Sequence, residues 1–250
     1  MTGLLVLLRH GQSTWNEQNL FTGWHDVALT TKGEREAKQA GETLKQAGIR
    51  FDLVYTSLLI RAIETNRLTL AALGQSDIKV HQDWRLNERH YGALQGLDKK
   101  ATTLKYGEEQ TNLWRRSFDI APPSVDKTSP EHPRNDPRYD HISDTDLPSG
   151  ECLKDVVARV VPFYKQHIEP ELKDKNVLIT AHGNSLRALV MHLENLSPQQ
   201  ISAINIPTGV PRKYEFSTEM KISAVSYLGD QVAIAAAIQA VSNQGKINRH

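Results

Sequence analysis

The chain has a single cysteine, Cys152, among its 250 residues. That excludes an internal disulfide framework and a cysteine-based zinc site. Long apolar runs are also missing. The longest, Leu4–Leu8 and Val232–Ile238, hold five and seven residues, whereas a membrane span needs about 20. No basic stretch followed by a long apolar one opens the chain, so no signal peptide is expected. Net charge is nearly absent, 30 Lys and Arg facing 29 Asp and Glu. Disorder of the whole chain does not fit that balance, and nucleic-acid binding would need a local basic patch. The expected setting is cytoplasmic and reducing, with no nucleic-acid and no membrane partner.

Leu4–Leu8 reads as a fully buried strand that stops at Arg9-His10-Gly11. A polar loop follows to Leu29. Thr31 with Glu34 has the spacing of a capping box, and Gly48 stops the helix it opens. Asp52–Thr56 is the next strand, and Ser57 is expected to cap a helix that runs to Leu73 and ends at Gly74. Ile78–His81 reads as a short strand. Helices are expected over Lys99–Tyr106 and Glu108–Phe118, and again over Leu153–His167, kinked at Pro162. Asn176–Ala181 is a buried strand ending in His182-Gly183-Asn184, and Ser185–Leu193 is the helix after it. Ser197-Pro198 starts another helix. Tyr214–Phe216 and Ile222–Leu228 read as late strands.

Six of the eleven prolines fall between Ala121 and Pro148, where regular structure is not expected. Alternating strands and helices predict an α/β fold. Its mostly parallel central sheet would be flanked by helices on both faces. The proline-rich segment, about residues 119–150, would be an inserted cap within one domain.

Two strand ends look alike: Arg9-His10-Gly11 and Ala181-His182-Gly183 each place a His and then a Gly after a buried strand. Ligands of open α/β sheets bind outside the carboxyl ends of the strands. Two imidazoles facing one crevice are therefore expected, with each Gly letting backbone approach a ligand; two unrelated loop histidines are the alternative. A metal site is disfavoured, because no H-x-H or H-E-x-x-H spacing is present and Arg9 would repel a cation. Arg9, together with Arg61 one turn into its helix, favours an anion such as phosphate. Nearby positive charge lowers an imidazole pKa and keeps a nucleophilic nitrogen available. Such a histidine suits phosphoryl transfer, with the same cations stabilising charge on the equatorial oxygens. Glu88 is a candidate general acid/base; a salt bridge with Arg89 is the alternative. Lys99, Arg115 and Arg116 would bind substrate phosphate or carboxylate if their helices pack over the crevice, and would be a solvated face otherwise.

Several longer stretches carry a resemblance. They are Leu7-Leu-Arg-His-Gly-Gln-Ser-Thr-Trp-Asn16, Phe21-Thr-Gly-Trp24, Leu86-Asn-Glu-Arg-His-Tyr-Gly-Ala-Leu-Gln-Gly-Leu97, Trp114-Arg-Arg116, Pro137-Arg-Tyr139 and Ala181-His-Gly-Asn-Ser-Leu-Arg-Ala188. In these the chain resembles the 2,3-bisphosphoglycerate-dependent phosphoglycerate mutases of the histidine phosphatase superfamily, over about residues 3–230. The resemblance implies an isomerase of glycolysis and gluconeogenesis that is primed by 2,3-bisphosphoglycerate and needs no metal. It implies that His10 is the phosphorylated nucleophile and Glu88 the proton donor and acceptor. His182, Arg9 and Arg61 would surround the transferred phosphoryl group. Ser13, Asn16, Thr22, Gly23, Tyr91, Lys99, Arg115, Arg116, Gly183 and Asn184 would bind substrate. A homo-oligomer, dimer or tetramer, is compatible with it. Departures are Ile60 where relatives usually have Lys, Cys152 where Ser is common, and Arg212-Lys213 in a more apolar stretch.

Two other readings remain at this point. One is a phosphomonoester hydrolase of the same superfamily; the other is a non-catalytic phospho-ligand binding protein. The family also implies a mobile C-terminal segment over the active-site mouth. Gly245 is a candidate hinge there, and Lys246 and Arg249 are candidate attractors for an anion.

Overall fold

The computed structural model describes residues 3–243. In chain order the elements are β1 (Leu4–Arg9), α1 (Thr14–Glu17), α2 (Thr31–Gln46), β2 (Leu53–Thr56), α3 (Ile60–Leu73), β3 (Val80–Gln82), α4 (Lys99–Tyr106) and α5 (Glu108–Arg116). Then follow α6 (Leu153–His167), β4 (Val177–Ala181), α7 (Gly183–Leu193), α8 (Pro198–Ala203), β5 (Arg212–Phe216), β6 (Ile222–Tyr227) and α9 (Gln231–Asn243). One six-stranded sheet has the order β3-β2-β4-β1-β5-β6. β1 to β4 run parallel, while β5 and β6 are antiparallel additions at one edge. The expected α/β architecture is what forms.

β1 is apolar on both faces because both are covered, and its side chains divide by parity. Val6 and Leu8 pack with Ala40 and Leu44 of α2 and Leu70 and Leu73 of α3. Leu5 and Leu7 pack with Val156, Val160 and Phe163 of α6 and Leu186 and Leu189 of α7. Each buried Val, Leu or Phe among them contributes about 1.5–3 kcal/mol of transfer free energy.

Some local expectations are corrected. The α2 cap is Thr30, whose Oγ1 accepts from the Gly33 N–H at 3.1 Å. Thr31 is the first helical residue, and Gly33 has no side chain to reach back, so no capping box forms. Ser57 does not cap α3: Ser57–Leu59 stay non-helical and the helix starts at Ile60. α6 runs unbroken through Pro162. The proline-rich segment has no α-helix or strand, only single 3-10 turns at Pro133–Asn135 and Pro137–Tyr139. It is anchored nonetheless. The Asn87 amide donates to the Tyr139 hydroxyl at 2.9 Å, and the Tyr139 ring packs 4.9 Å from Trp24.

The register of three strands places the site. Arg9 lies opposite Ala181, and Thr56 opposite Thr180. The next residues along the chain, His10, His182 and Ser57, therefore leave the sheet side by side at its carboxyl edge.

Candidate active site

His10 and His182 are both buried, with ring centroids 5.0 Å apart and ring planes at 58°. The His10 Nδ1 lies 2.7 Å from the Gly11 carbonyl oxygen. A carbonyl only accepts, so Nδ1 carries the proton and Nε2 keeps its lone pair. Burial holds the His10 pKa well below 6.5, helped by the charges of Arg61 and Arg9. Burial, with Arg61 next, does the same to His182. The His182 Nε2 meets the Ser57 hydroxyl at 2.7 Å, which fixes that ring against His10. The sequence offers Ser57 as a helix cap; the parallel β2–β4 register makes it a histidine partner.

Arg9 donates through one terminal nitrogen to the Ile206 carbonyl at 2.7 Å. Its Nε is buried with no hydrogen-bond partner. Arg61, in the first turn of α3, donates to the Gly23 and His25 carbonyls at 2.7 and 2.9 Å. It is almost fully buried, which lowers its pKa to about 10. Buried guanidinium groups are costly unless an anion or several acceptors complement them.

Glu88 is not paired with Arg89 in a side-chain salt bridge. Its Oε1 accepts from the backbone N–H groups of Arg89 and Asn184 at 2.8 and 3.0 Å. The other oxygen, Oε2, faces Gly183, where a Cβ would sit 3.5 Å from it and 3.6 Å from the Arg9 guanidinium carbon. Gly183 thus keeps space open beside the acid/base candidate. Gly11 serves another purpose: a Cβ there would meet the Gly33 carbonyl oxygen at 2.2 Å, so Gly11 lets β1 exit against α2. The loop carrying Glu88 is held from behind by Arg159 of α6. Arg159 donates to the carbonyls of Arg85, Asn87 and Glu88 and pairs with buried Glu151 at 2.7 Å.

The cleft above His10 is lined by Arg9, Asn16, Thr22, Gly23, Arg61, Glu88, Tyr91, Lys99, Arg115, Arg116, Gly183 and Asn184. Every expected site residue is at this lining except two. Ser13 is buried beneath it as the N-cap of α1, its Oγ accepting from the Asn16 N–H at 3.2 Å. His182 sits behind His10. α4 and α5 do pack over the crevice, so Lys99, Arg115 and Arg116 point into it rather than to solvent. Burial, with Arg115 and Arg9 nearby, lowers Lys99 to about 7, and burial lowers Arg115 to about 10. Sequence reasoning missed Arg187 of α7, Asn205, and Val241 of α9, which also line the cleft. The lining carries six cationic side chains and one carboxylate among the described residues. No group of three His, Cys, Asp or Glu side chains among the described residues could hold a metal ion.

The Val232–Ile238 run lies in α9. Only Ile234 of that run is buried, while Val232 is 82% exposed. Gly245, Lys246 and Arg249 lie outside the described residues. No helix among the described residues is long and apolar enough to cross a membrane.

A neutral imidazole with a free Nε2, ringed by buried guanidinium groups at the carboxyl edge of a parallel sheet, has the chemistry that phosphoryl transfer through a histidine requires. Residues 5–135 and 125–222 match the histidine phosphatase superfamily, branch 1. The chain is 52% identical, over 97% of its length and 98% of theirs, to proteins from Borreliella burgdorferi and Borreliella afzelii named 2,3-bisphosphoglycerate-dependent phosphoglycerate mutase. It belongs to the histidine phosphatase superfamily and, within it, to that mutase family. Among solved structures, Mycobacterial hydrolase 1 is similar with a TM-score of 0.69 and 25% identity, covering 90% of this chain and 97% of that one. A putative α-ribazole-5′-P phosphatase from Escherichia coli shares the fold, with a TM-score of 0.69 at 21% identity over 92% of this chain and 98% of that one.

Proposed function

We propose that this chain interconverts 3-phosphoglycerate and 2-phosphoglycerate through phosphorylated His10, primed by 2,3-bisphosphoglycerate. The observation that carries the reading is the open Nε2 of His10 in a cleft with six cationic side chains and one carboxylate. The kinship with the named mutases supports the particular substrate. A phosphoglycerate bears a phosphate and a carboxylate, and its bisphosphate two phosphates, which suits such a balance of charge.

In the proposed cycle, the free hydroxyl oxygen of the bound monophosphate attacks phosphorus and the P–N bond to Nε2 breaks. Glu88 Oε2 takes the hydroxyl proton, and His10 regains its lone pair. The bisphosphate turns over, its other phosphoryl group passes to Nε2, and Glu88 returns the proton to the leaving oxygen. Arg9, Arg61 and His182 stabilise charge on the transferring oxygens, which is the role a metal would otherwise fill. Asn16, Thr22, Gly23, Tyr91, Lys99, Arg115, Arg116, Gly183 and Asn184 hold the substrate, and Ser13 positions Asn16. We read the chain as one mutase-like domain acting in the cytoplasm on small phosphoglycerates, as a homo-oligomer, a dimer or tetramer.

The test is label from bisphosphoglycerate. Wild type should acquire acid-labile label and isomerise in excess EDTA, and folded His10→Ala should do neither. Phosphate release without isomerisation would instead favour the hydrolase.

A further inference from the structure

Arg187 lies within α7 and looks, in sequence, like any helix arginine. In the fold it is 5% exposed and lines the cleft beside Asn184. One terminal nitrogen donates to Asn184 Oδ1 at 3.0 Å, and the other to the Ile201 carbonyl of α8 at 2.7 Å. Its Nε is buried without a partner. Asn184 in turn directs its Nδ2 toward the Tyr91 hydroxyl at 3.4 Å, and Arg89 donates to the same hydroxyl at 3.1 Å.

We infer that Arg187 is a positioning residue that sets the orientation of the Asn184 amide, and through it the donor wall of the anion site. A side-chain amide has two nearly isosteric orientations, and only its hydrogen-bond partners choose between them. A guanidinium donates only, so only the oxygen end of the Asn184 amide can face it and accept. The NH₂ end is thereby turned toward Tyr91 and the cleft. With two donors on the Tyr91 oxygen, its own O–H proton is left to point elsewhere, to an anion in the cleft. A flipped amide would set donor against donor at Arg187 and place an acceptor oxygen where an anion must bind. Burial of Arg187, together with its unpartnered Nε, is costly in the empty protein, and an anion in the cleft offsets it. This inference rests on the mutase reading for the identity of the ligand, not for the geometry.

The test is calorimetric binding of 2,3-bisphosphoglycerate, beside isomerisation kinetics, in wild type, Arg187→Met, Asn184→Ala, the double variant and Asn184→Asp. Asn184→Asp keeps an acceptor for Arg187, so folding is preserved, but replaces the amide donor with an oxygen. Each single variant should weaken binding by about 10- to 100-fold, the range of one lost charge-assisted hydrogen bond. KM should rise more than kcat falls. If Arg187 acts through Asn184, the double variant should bind no more weakly than the worse single one. Multiplicative losses in the double variant, or wild-type affinity in Asn184→Asp, would overturn the assignment. Should Arg187→Met not fold, Arg187→Lys decides: it keeps the charge but cannot bridge Asn184 Oδ1 and the Ile201 carbonyl, so its binding should weaken as in Asn184→Ala, and wild-type affinity there would overturn the assignment. Wild-type binding without isomerisation would remove the mutase reading while leaving the affinity comparison intact.

Discussion

The Nδ1 of His10 and the carbonyl oxygen of Gly11 are 2.7 Å apart, within the sharp exit of β1 from the sheet. That contact selects the tautomer, and burial beside Arg61 and Arg9 keeps the ring uncharged. The proposed nucleophile is therefore held neutral, with Nε2 unprotonated, before any ligand arrives, at a cost that appears in the pH dependence of stability.

His10 and His182 are held well below 6.5, and burial brings His90 to about 3. Unfolded, all three would titrate near 6.5, so below that pH the unfolded chain binds more protons than the native one. Stability is fully present above about 6.5 and is lost as pH falls toward the native values. The slope is at most about 1.4 kcal/mol per pH unit for each histidine. Urea unfolding of the ligand-free protein at pH 7, 6 and 5 should show a steady loss. A flat profile over that range would contradict the buried neutral assignment.

Glu88→Gln keeps an oxygen for the Arg89 and Asn184 N–H groups, which lie 2.8 and 3.0 Å from Oε1. It loses the carboxylate oxygen that could take a proton. With saturating bisphosphate, kcat should fall by about 10²–10⁴, the usual worth of a general acid/base. An unchanged kcat would reduce Glu88 to a loop-bracing group.

Lys99 is lowered to about 7 by burial and by Arg115 and Arg9. A multiply charged anion in the cleft favours its charged form and raises that pKa. Binding of bisphosphoglycerate above pH 7 should therefore take up a proton, and affinity should fall by up to about tenfold per pH unit. Calorimetry at pH 8 in buffers of different ionisation heat measures the uptake, which Lys99→Met should diminish. Equal proton uptake in that variant would place the titration elsewhere.

α9 brings Val241 to the cleft and buries Ile234 near Gly229. A mutase must keep water from the phosphoryl group more strictly than a phosphatase, and covering segments do this. Ending the chain after Gly229 should lower isomerisation more than phosphate release. The ratio of the two rates, on a truncated protein with native circular dichroism, reports the effect. A constant ratio would leave the proline-rich segment as the remaining candidate for excluding water.

Much of this protein is written locally. A five-residue apolar run followed by Arg9-His10-Gly11 reads as a buried strand emptying into a polar loop, as it proves to be, and Leu153–His167 is bounded as its pattern predicts. The clustering of prolines forecast the irregular segment. Ser57 shows where local reasoning fails. It has the features of a helix cap, yet its hydroxyl serves His182, 125 positions away along the chain.

What the sequence determined by itself was the set of chemical groups and the elements that carry them, because hydrophobic period, caps and breakers act within a few residues. What only the tertiary structure decided was which groups meet. Strand order and register, with Arg9 opposite Ala181 and Thr56 opposite Thr180, bring three distant residues to one edge. Burial then separates Arg187, inside the site, from arginines that remain in solvent. Register and burial are properties of the packed sheet as a whole, set by how the apolar faces of β1 and β4 are shared between two helical layers, and no short stretch of sequence encodes them.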